Sequence, residues 1–303
     1  MDLDGDGQAD LLSGSWPGEV YFFKGNGSGR FAKGEQLKDR NGKPIKLGSA
    51  STVFASDWDG DGVLDLLIGD IDGHVWLVPN GGTTRKPAFG SPLKLEADGK
   101  VIKAPHGDSH PILADWDGDG IADLILGCGD GGVHWYRNIG TPKEPKLAAA
   151  NVLVHESNFV KKFPPETSAK DQPCMRAKVC VVDWDGDGRL DLLIGDAGYT
   201  QQEAPKLTKE EAEAKKKAQE EYNKLCTKFQ SLLEEQNKLF QVPPDEQPKA
   251  KAEREKKLQA VQEKLKPFND EAQKLYPAMF KGQPKLEWHG HVWLYLRKAA
   301  KSE

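Results

Sequence analysis

The stretch VCVVDWDGDGRLDLLIGD, residues 179–196, sets four carboxylates, Asp183, Asp185, Asp187 and Asp191, within nine residues. They run directly into the apolar segment Leu192-Leu193-Ile194. Like charges this close repel, so the crowding needs a physical reason. With Asp183 as position one, side-chain oxygens fall at positions one, three, five and nine, and glycine stands at six. Oxygens at these spacings can wrap one hard cation of calcium size, and the glycine permits a sharp turn. Position seven, Arg189, would offer its backbone carbonyl, which leaves its side chain free to vary.

The stretch recurs three times. DLDGDGQADLL starts at Asp2, DWDGDGVLDLLIGD at Asp57 and DWDGDGIADLILG at Asp115. The expected ligand sets are Asp2, Asp4, Asp6, Gln8 and Asp10; Asp57, Asp59, Asp61, Val63 and Asp65; Asp115, Asp117, Asp119, Ile121 and Asp123; and Asp183, Asp185, Asp187, Arg189 and Asp191. The carboxylates are constant while the seventh residue changes from Gln to Val to Ile to Arg. That contrast is what a loop built around a cation requires. An EF-hand would need an acid at position twelve between two helices. Position twelve is Ser13, Ile68, Leu126 or Ile194, and the flanks read as strands. Magnesium prefers fewer carboxylates and more retained water, so the expectation is about four bound Ca2+.

The material around each loop repeats too. After it come an apolar run, a Gly-rich turn and a β-branched or aromatic run: EVYFFKGNG from Glu19, HVWLVPNGG from His74 and VHWYRNIGT from Val133. This is a hairpin signature. A weaker strand follows at Phe31 and at Phe89, and an apolar run precedes the loop at 52–56, 111–114 and 178–182. One unit of roughly 60 residues therefore holds four short strands, the content of a propeller blade. The fold class expected is all-β: a β-propeller with four detectable blades, incomplete at the termini, plus an inserted α-helical hairpin in the last blade. Trp58, Trp116 and Trp184 in the loops, with Tyr21, Trp76, Trp135 and Trp293 on the third strands, are expected to pack between blades.

The fourth unit is interrupted. Its third strand returns only in HGHVWLYLRK, 289–298, where His291-Val292-Trp293-Leu294 repeats His74-Val75-Trp76-Leu77. Between them lies Lys-, Glu-, Gln- and Ala-rich sequence with apolar residues at 218, 222, 225, 229, 232 and 239, then at 258, 261, 265, 268, 272 and 275. Steps of three, four or seven predict two amphipathic helices. Thr208 and Glu211 read as a capping box, VPPDEQP at 242–248 as a reversal, and Pro267 as a kink or break. The domains expected are blades one to three and half of blade four over 1–200, an antiparallel helical hairpin over 201–285, and a completing strand and tail over 286–303.

The net charge of −5 argues against a nucleic-acid surface. No apolar run approaches the roughly 20 residues of a membrane span. The opening MDLDGDG does not read as a signal peptide. Cys128, Cys174, Cys180 and Cys226 form no CxxC pair, which predicts buried thiols, with one disulfide through Cys174 or Cys180 as the alternative.

The pattern D-x-D-x-D-G-x-x-D-L beside a strand resembles the FG-GAP/VCBS repeat of integrin-alpha-like β-propellers, over residues 1–200 and 286–298. The resemblance implies calcium loops between strands one and two on one face. It implies ligand binding on the opposite face, where the helical hairpin, 70–73, 127–132 and the segments before each loop would lie. Those segments differ between copies: Thr52, His110 and Lys178 stand five residues before the loop, and Ala50, Asp108 and Arg176 seven before. A polar pocket of Asp108, His110, Arg176 and Lys178 is the candidate ligand site, suited to a uronate or a carboxylate. Two functions follow. One is a calcium-stabilised adhesion or binding module for a protein or glycan, with the hairpin as an interaction or oligomerisation arm. The other is a polysaccharide lyase or hydrolase with His110 or Lys178 as base and Arg176 neutralising the acid. Calcium loops of modest affinity fill outside cells, so an extracellular, cell-surface or periplasmic location is expected.

Overall fold

The structure is a computed structural model that describes residues 1–157, 173–240 and 248–298. Residues 1–200 and 287–303 group as one compact unit and residues 201–286 as another.

The first unit holds four open, mainly antiparallel sheets, one for each acidic loop, with no closed barrel among the described residues. The first contains β1 (Leu11–Ser13), β2 (Tyr21–Phe23) and β3 (Glu35–Gln36). The second contains β4 (Thr52–Ser56), β5 (Asp65–Gly69), β6 (Val75–Val78) and β7 (Leu93–Lys94). The short pair β8 (Glu96–Ala97) and β9 (Lys100–Val101) crosses to the third sheet. There it extends β10 (His110–Ala114), β11 (Asp123–Gly127), β12 (Val133–Asn138) and β13 (Leu147–Val154), through one parallel pairing of Ala97 with Leu147. The fourth contains β14 (Met175–Val182), β15 (Asp191–Gln201), β16 (Leu286–His289) and β17 (Val292–Tyr295). Each complete loop therefore joins the first two strands of its sheet, as expected. The first sheet begins at the strand after its loop. In the fourth, β17 takes the third-strand place with Leu193 opposite Leu294, while the long β15 also pairs with β16, a strand the periodicity did not predict.

Why the second strands are continuous apolar runs follows from the packing. Successive side chains on a strand point to opposite faces. Leu66 and Ile68 of β5 pack back against Leu12 and Val20, while Leu67 packs forward with Leu124 and Leu126. In turn Ile125 packs forward with Leu192 and Ile194. Each inner sheet is buried on both faces, and β5 and β11 are buried at every residue. Trp116 is buried and Trp58, Trp76, Trp135 and Trp293 are partly buried in these clusters. Trp184 departs from the expectation and is exposed. No disulfide joins the cysteines: Cys128 and Cys174 are buried, Cys226 is half-buried and Cys180 is exposed.

The second unit holds α1 (Lys209–Phe240) and α2 (Pro248–Met279), 32 residues each, or about 48 Å at 1.5 Å per residue. The Thr208 N–H donates to Glu211 Oε2 at 2.8 Å and the Glu211 N–H to Thr208 Oγ1 at 3.2 Å, the reciprocal pattern of a capping box. The helices run antiparallel: Tyr222 meets Tyr276 and Phe268, and Arg254 donates to the Leu239 carbonyl near the other end. Leu225, Val261, Leu265, Phe268 and Ala272 form the buried seam. Of the kink or break expected at Pro267, the break does not occur: α2 runs through it, and Pro277 also lies inside the helix. The seam residues Leu265 and Phe268 flank the proline and hold that turn by packing. The reversal expected at 242–248 lies, but for Pro248, outside the described residues.

Candidate metal centre

Each acidic loop is a tight backbone coil. Glycines at positions four and six have positive φ in all four copies, for example Gly60 at 70° and Gly62 at 86°. Position four therefore needs glycine as much as position six does, which the spacing argument overlooked. The first carboxylate gathers the loop's own donors. The Asp61 N–H and the Gly62 N–H donate to Asp57 at 3.1 and 2.9 Å, and the Val63 N–H donates to Asp61 at 2.8 Å. The same bonds recur around Asp2, Asp115 and Asp183.

This winding points carboxylates at one another. One oxygen each from Asp2, Asp4 and Asp6 lies within 4.8 Å of the others, and the same holds for Asp57, Asp59 and Asp61 and for Asp115, Asp117 and Asp119. In the fourth loop the group is Asp183, Asp185 and Asp191, while Asp187 pairs with Arg189. Asp4 Oδ1 and Asp59 Oδ1 are shut off from water and receive no hydrogen bond. A carboxylate oxygen only accepts, so a buried one aimed among other carboxylates fits a hard cation. Residues at positions one, three and five would hold it in the first three loops, and those at one, three and nine in the fourth. Three loops thus carry a paired cation: Lys24 pairs with Asp4 and Asp6, Arg137 with Asp117 and Asp119, and Arg189 with Asp187.

The ninth carboxylate does something else as well. Asp65 is buried; its Oδ2 accepts the Trp58 N–H at 3.0 Å and its Oδ1 the Asn80 N–H at 2.6 Å. Asp10, Asp123 and Asp191 accept the equivalent pairs. This residue clasps the loop entrance to the end of the third strand. Burial pushes Asp65 up to about 6 against those two donors, and the charges of Asp59 and Asp61 add to the rise.

The profile of the FG-GAP-like repeat matches residues 2–68, 57–126 and 115–194, more than half of the chain. The chain belongs to the FG-GAP-like repeat family. Among solved structures it is similar to a Photorhabdus luminescens Tc holotoxin pore (22% identity, TM-score 0.39, 64% of this chain and 8% of that one). It is also similar to an Agrocybe aegerita lectin that recognises non-reducing terminal N-acetylglucosamine (24% identity, TM-score 0.36, 64% of this chain and 46% of that one). The chain thus spans less than half the length of either.

At the far end of the FG-GAP strands from the acidic loops, the four predicted pocket residues do meet. Asp108 Oδ1 is 3.0 Å from Lys178 Nζ, and Asp108 Oδ2 is 3.1 Å from Arg176 Nε. His110 Nδ1 accepts the Val179 N–H at 3.2 Å. A cavity of about 190 Å3 is lined by Asp108 and Arg176 together with His106, Ile71, Gly129 and Met175, and not by His110 or Lys178. Burial, with the neighbouring Lys178 charge, pushes His110 down to about 4. Ala50, Asp108 and Arg176, at equivalent positions, all have positive φ, so each entering strand begins with the same left-handed residue.

Sequence reasoning read the matching His-Val-Trp-Leu segments as third strands but missed the clasp they make. Asp70 accepts the His74 N–H and the Trp76 Nε1–H at 2.9 Å each, and Asp196 accepts the His291 N–H at 2.7 Å and the Trp293 Nε1–H at 2.9 Å. These are turn clasps. Burial raises Asp196, but the N–H donors of Cys174, Trp293 and His291 outweigh it and hold the carboxyl below its usual value.

Proposed function

We propose that this chain is a calcium-stabilised binding module of β-propeller type that recognises a protein or glycan partner outside the cell, with the helical hairpin as an interaction arm. The observation that carries the reading is the set of four like-wound acidic loops with orphaned buried oxygens at Asp4 and Asp59. Metal joined there contributes folding energy, which suits a scaffold. The loops stand at one end of the sheets, so the variable segments at the other end are free to differ. Asp108, Arg176 and the cavity between them are the proposed ligand contact in that end.

The lyase alternative is disfavoured by the geometry. The Lys178 ammonium and the Arg176 guanidinium are both ion-paired to Asp108, and His110 Nδ1 is occupied by a backbone N–H. A base needs a free lone pair within reach of the substrate. A glycan array and a protein pull-down, run in calcium with the intact chain, Arg176→Ala and a deletion of 201–286, test the reading. Binding lost with Arg176→Ala places the contact at the cavity, and binding lost with the deletion places it on the hairpin. Turnover of an acidic polysaccharide that disappears in His110→Ala would overturn it.

A further inference from the structure

Within its own unit, the fourth sheet carries a finished interface with no described residue against it. At each internal boundary the glycine closing a second strand meets the backbone of the following sheet. A Cβ on Gly14 would lie 1.9 Å from the Ser51 carbonyl oxygen, one on Gly69 2.1 Å from that of Ser109, and one on Gly127 2.2 Å from that of Ala177. Gly195 is the fourth of this set, yet the nearest atom to its Cβ would be 3.8 Å away, on its own sheet. Forward-facing side chains show the same contrast. Val75 and Val133 are fully buried, and their register equivalent Val292 is 72% exposed. Trp58 and Trp116 are covered, and Trp184 is 59% exposed.

The first sheet shows the other half. Leu66, Leu124 and Leu192 are buried against the preceding sheet, and their equivalent Leu11 is 45% exposed. Phe89 and Leu147 pair with Asn80 and Asn138 and are buried, and their equivalent Phe31, paired with Gly25, is 46% exposed. Trp58 and Leu147 line one crevice, which is the contact that Trp184 and Phe31 would make.

We propose that the forward face of the fourth sheet, with Trp184, Val292, Leu294 and Gly195, docks the backward face of the first sheet of a second copy, with Leu11 and Phe31. The contact continues the sheet-to-sheet interface already present three times in the chain. It is heterologous, so both faces of every copy are used and assembly proceeds to a ring or an open array.

Sedimentation velocity of the intact chain over rising concentration tests this. The expected result is concentration-dependent association. Leu294→Glu with Trp184→Glu blocks one face, and Leu11→Glu with Phe31→Glu blocks the other; each pair weakens self-association by about tenfold or more. An equimolar mixture of the two blocked chains restores a one-to-one complex, because one intact face of each kind remains. Far-UV circular dichroism confirms that both blocked chains are folded. Wild-type chain that stays monomeric at the highest concentration, or blocked chains that are folded yet do not complement, would overturn the proposal.

Discussion

At the residue scale, one aspartate type carries two duties. In three copies positions one, three and five face each other across the loop, and position nine ties loop to strand; in the fourth, Asp191 does both. Asp123 is fully buried and holds the Trp116 and Asn138 N–H groups at 3.2 and 2.6 Å. Asp123→Ala leaves both donors unpaired in the interior and is expected to lower unfolding free energy by about 3 kcal/mol. Urea denaturation in EDTA isolates this loss from any metal effect. His110 supplies a second prediction. Its ordinary value is 6.5 and the fold lowers it to about 4, by burial first and by Lys178 second, with Asp108 opposing. The neutral ring stabilises the fold fully above pH 6.5, and that contribution drains away as pH falls toward 4. Melting temperature against pH should be steeper in this window for wild type than for His110→Asn. Equal slopes would show that His110 does not titrate this way. The carboxylate spacing was legible from the chain alone. The ion pairing of Asp108 was not, because Lys178 lies 70 residues away and only sheet packing brings it near.

At the element scale, repetition made the strands readable and tertiary packing supplied the rest. Leu66 to Ile68 read as a buried strand because alternate residues serve two different neighbours. β16 could not be read, since the segment Leu286–His289 gains strand character only by lying against the extended β15. At Pro267 packing overrides the break that the sequence offered. A helix-interior proline removes a hydrogen bond and crowds the preceding turn, at a cost of about 3 kcal/mol. Leu265, Phe268 and Ala272 bury enough against α1 to keep α2 continuous. Pro267→Ala is therefore expected to stabilise the helical unit in the intact chain. Hydrogen exchange should slow in the turn around residue 267, and unchanged exchange would mean that the packing already offsets the whole strain.

At the scale of the whole molecule, the sheets form a series in which each depends on the next, so stability is shared along the array. Calcium would act on several links at once. A site held at about 100 times its Kd adds about 2.7 kcal/mol. The expected outcome of EDTA is a melting temperature lowered by well over ten degrees, restored by calcium and only weakly by magnesium. Loops one, three and four carry Lys24, Arg137 and Arg189 as counter-charges, so loop two should be the most sensitive, and Asp59→Ala should blunt the EDTA response more than Asp117→Ala. A melting temperature indifferent to EDTA would count against metal in all four loops.

Local chemistry was enough to define the acidic loops, the strand that follows each, the capping box at Thr208 and the helical insertion. These depend on residues within a turn or two of one another, and four internal copies separate constant from variable positions. Three-dimensional packing alone decided which tryptophans are covered, that Asp108 ties up both Arg176 and Lys178, and that the ninth aspartate is a clasp. Those outcomes depend on what lies across a sheet boundary. The same DWDGDG tryptophan is covered at Trp58 and Trp116 and exposed at Trp184 for that reason: burial is a property of the neighbour, and among the described residues no further sheet lies beside the fourth.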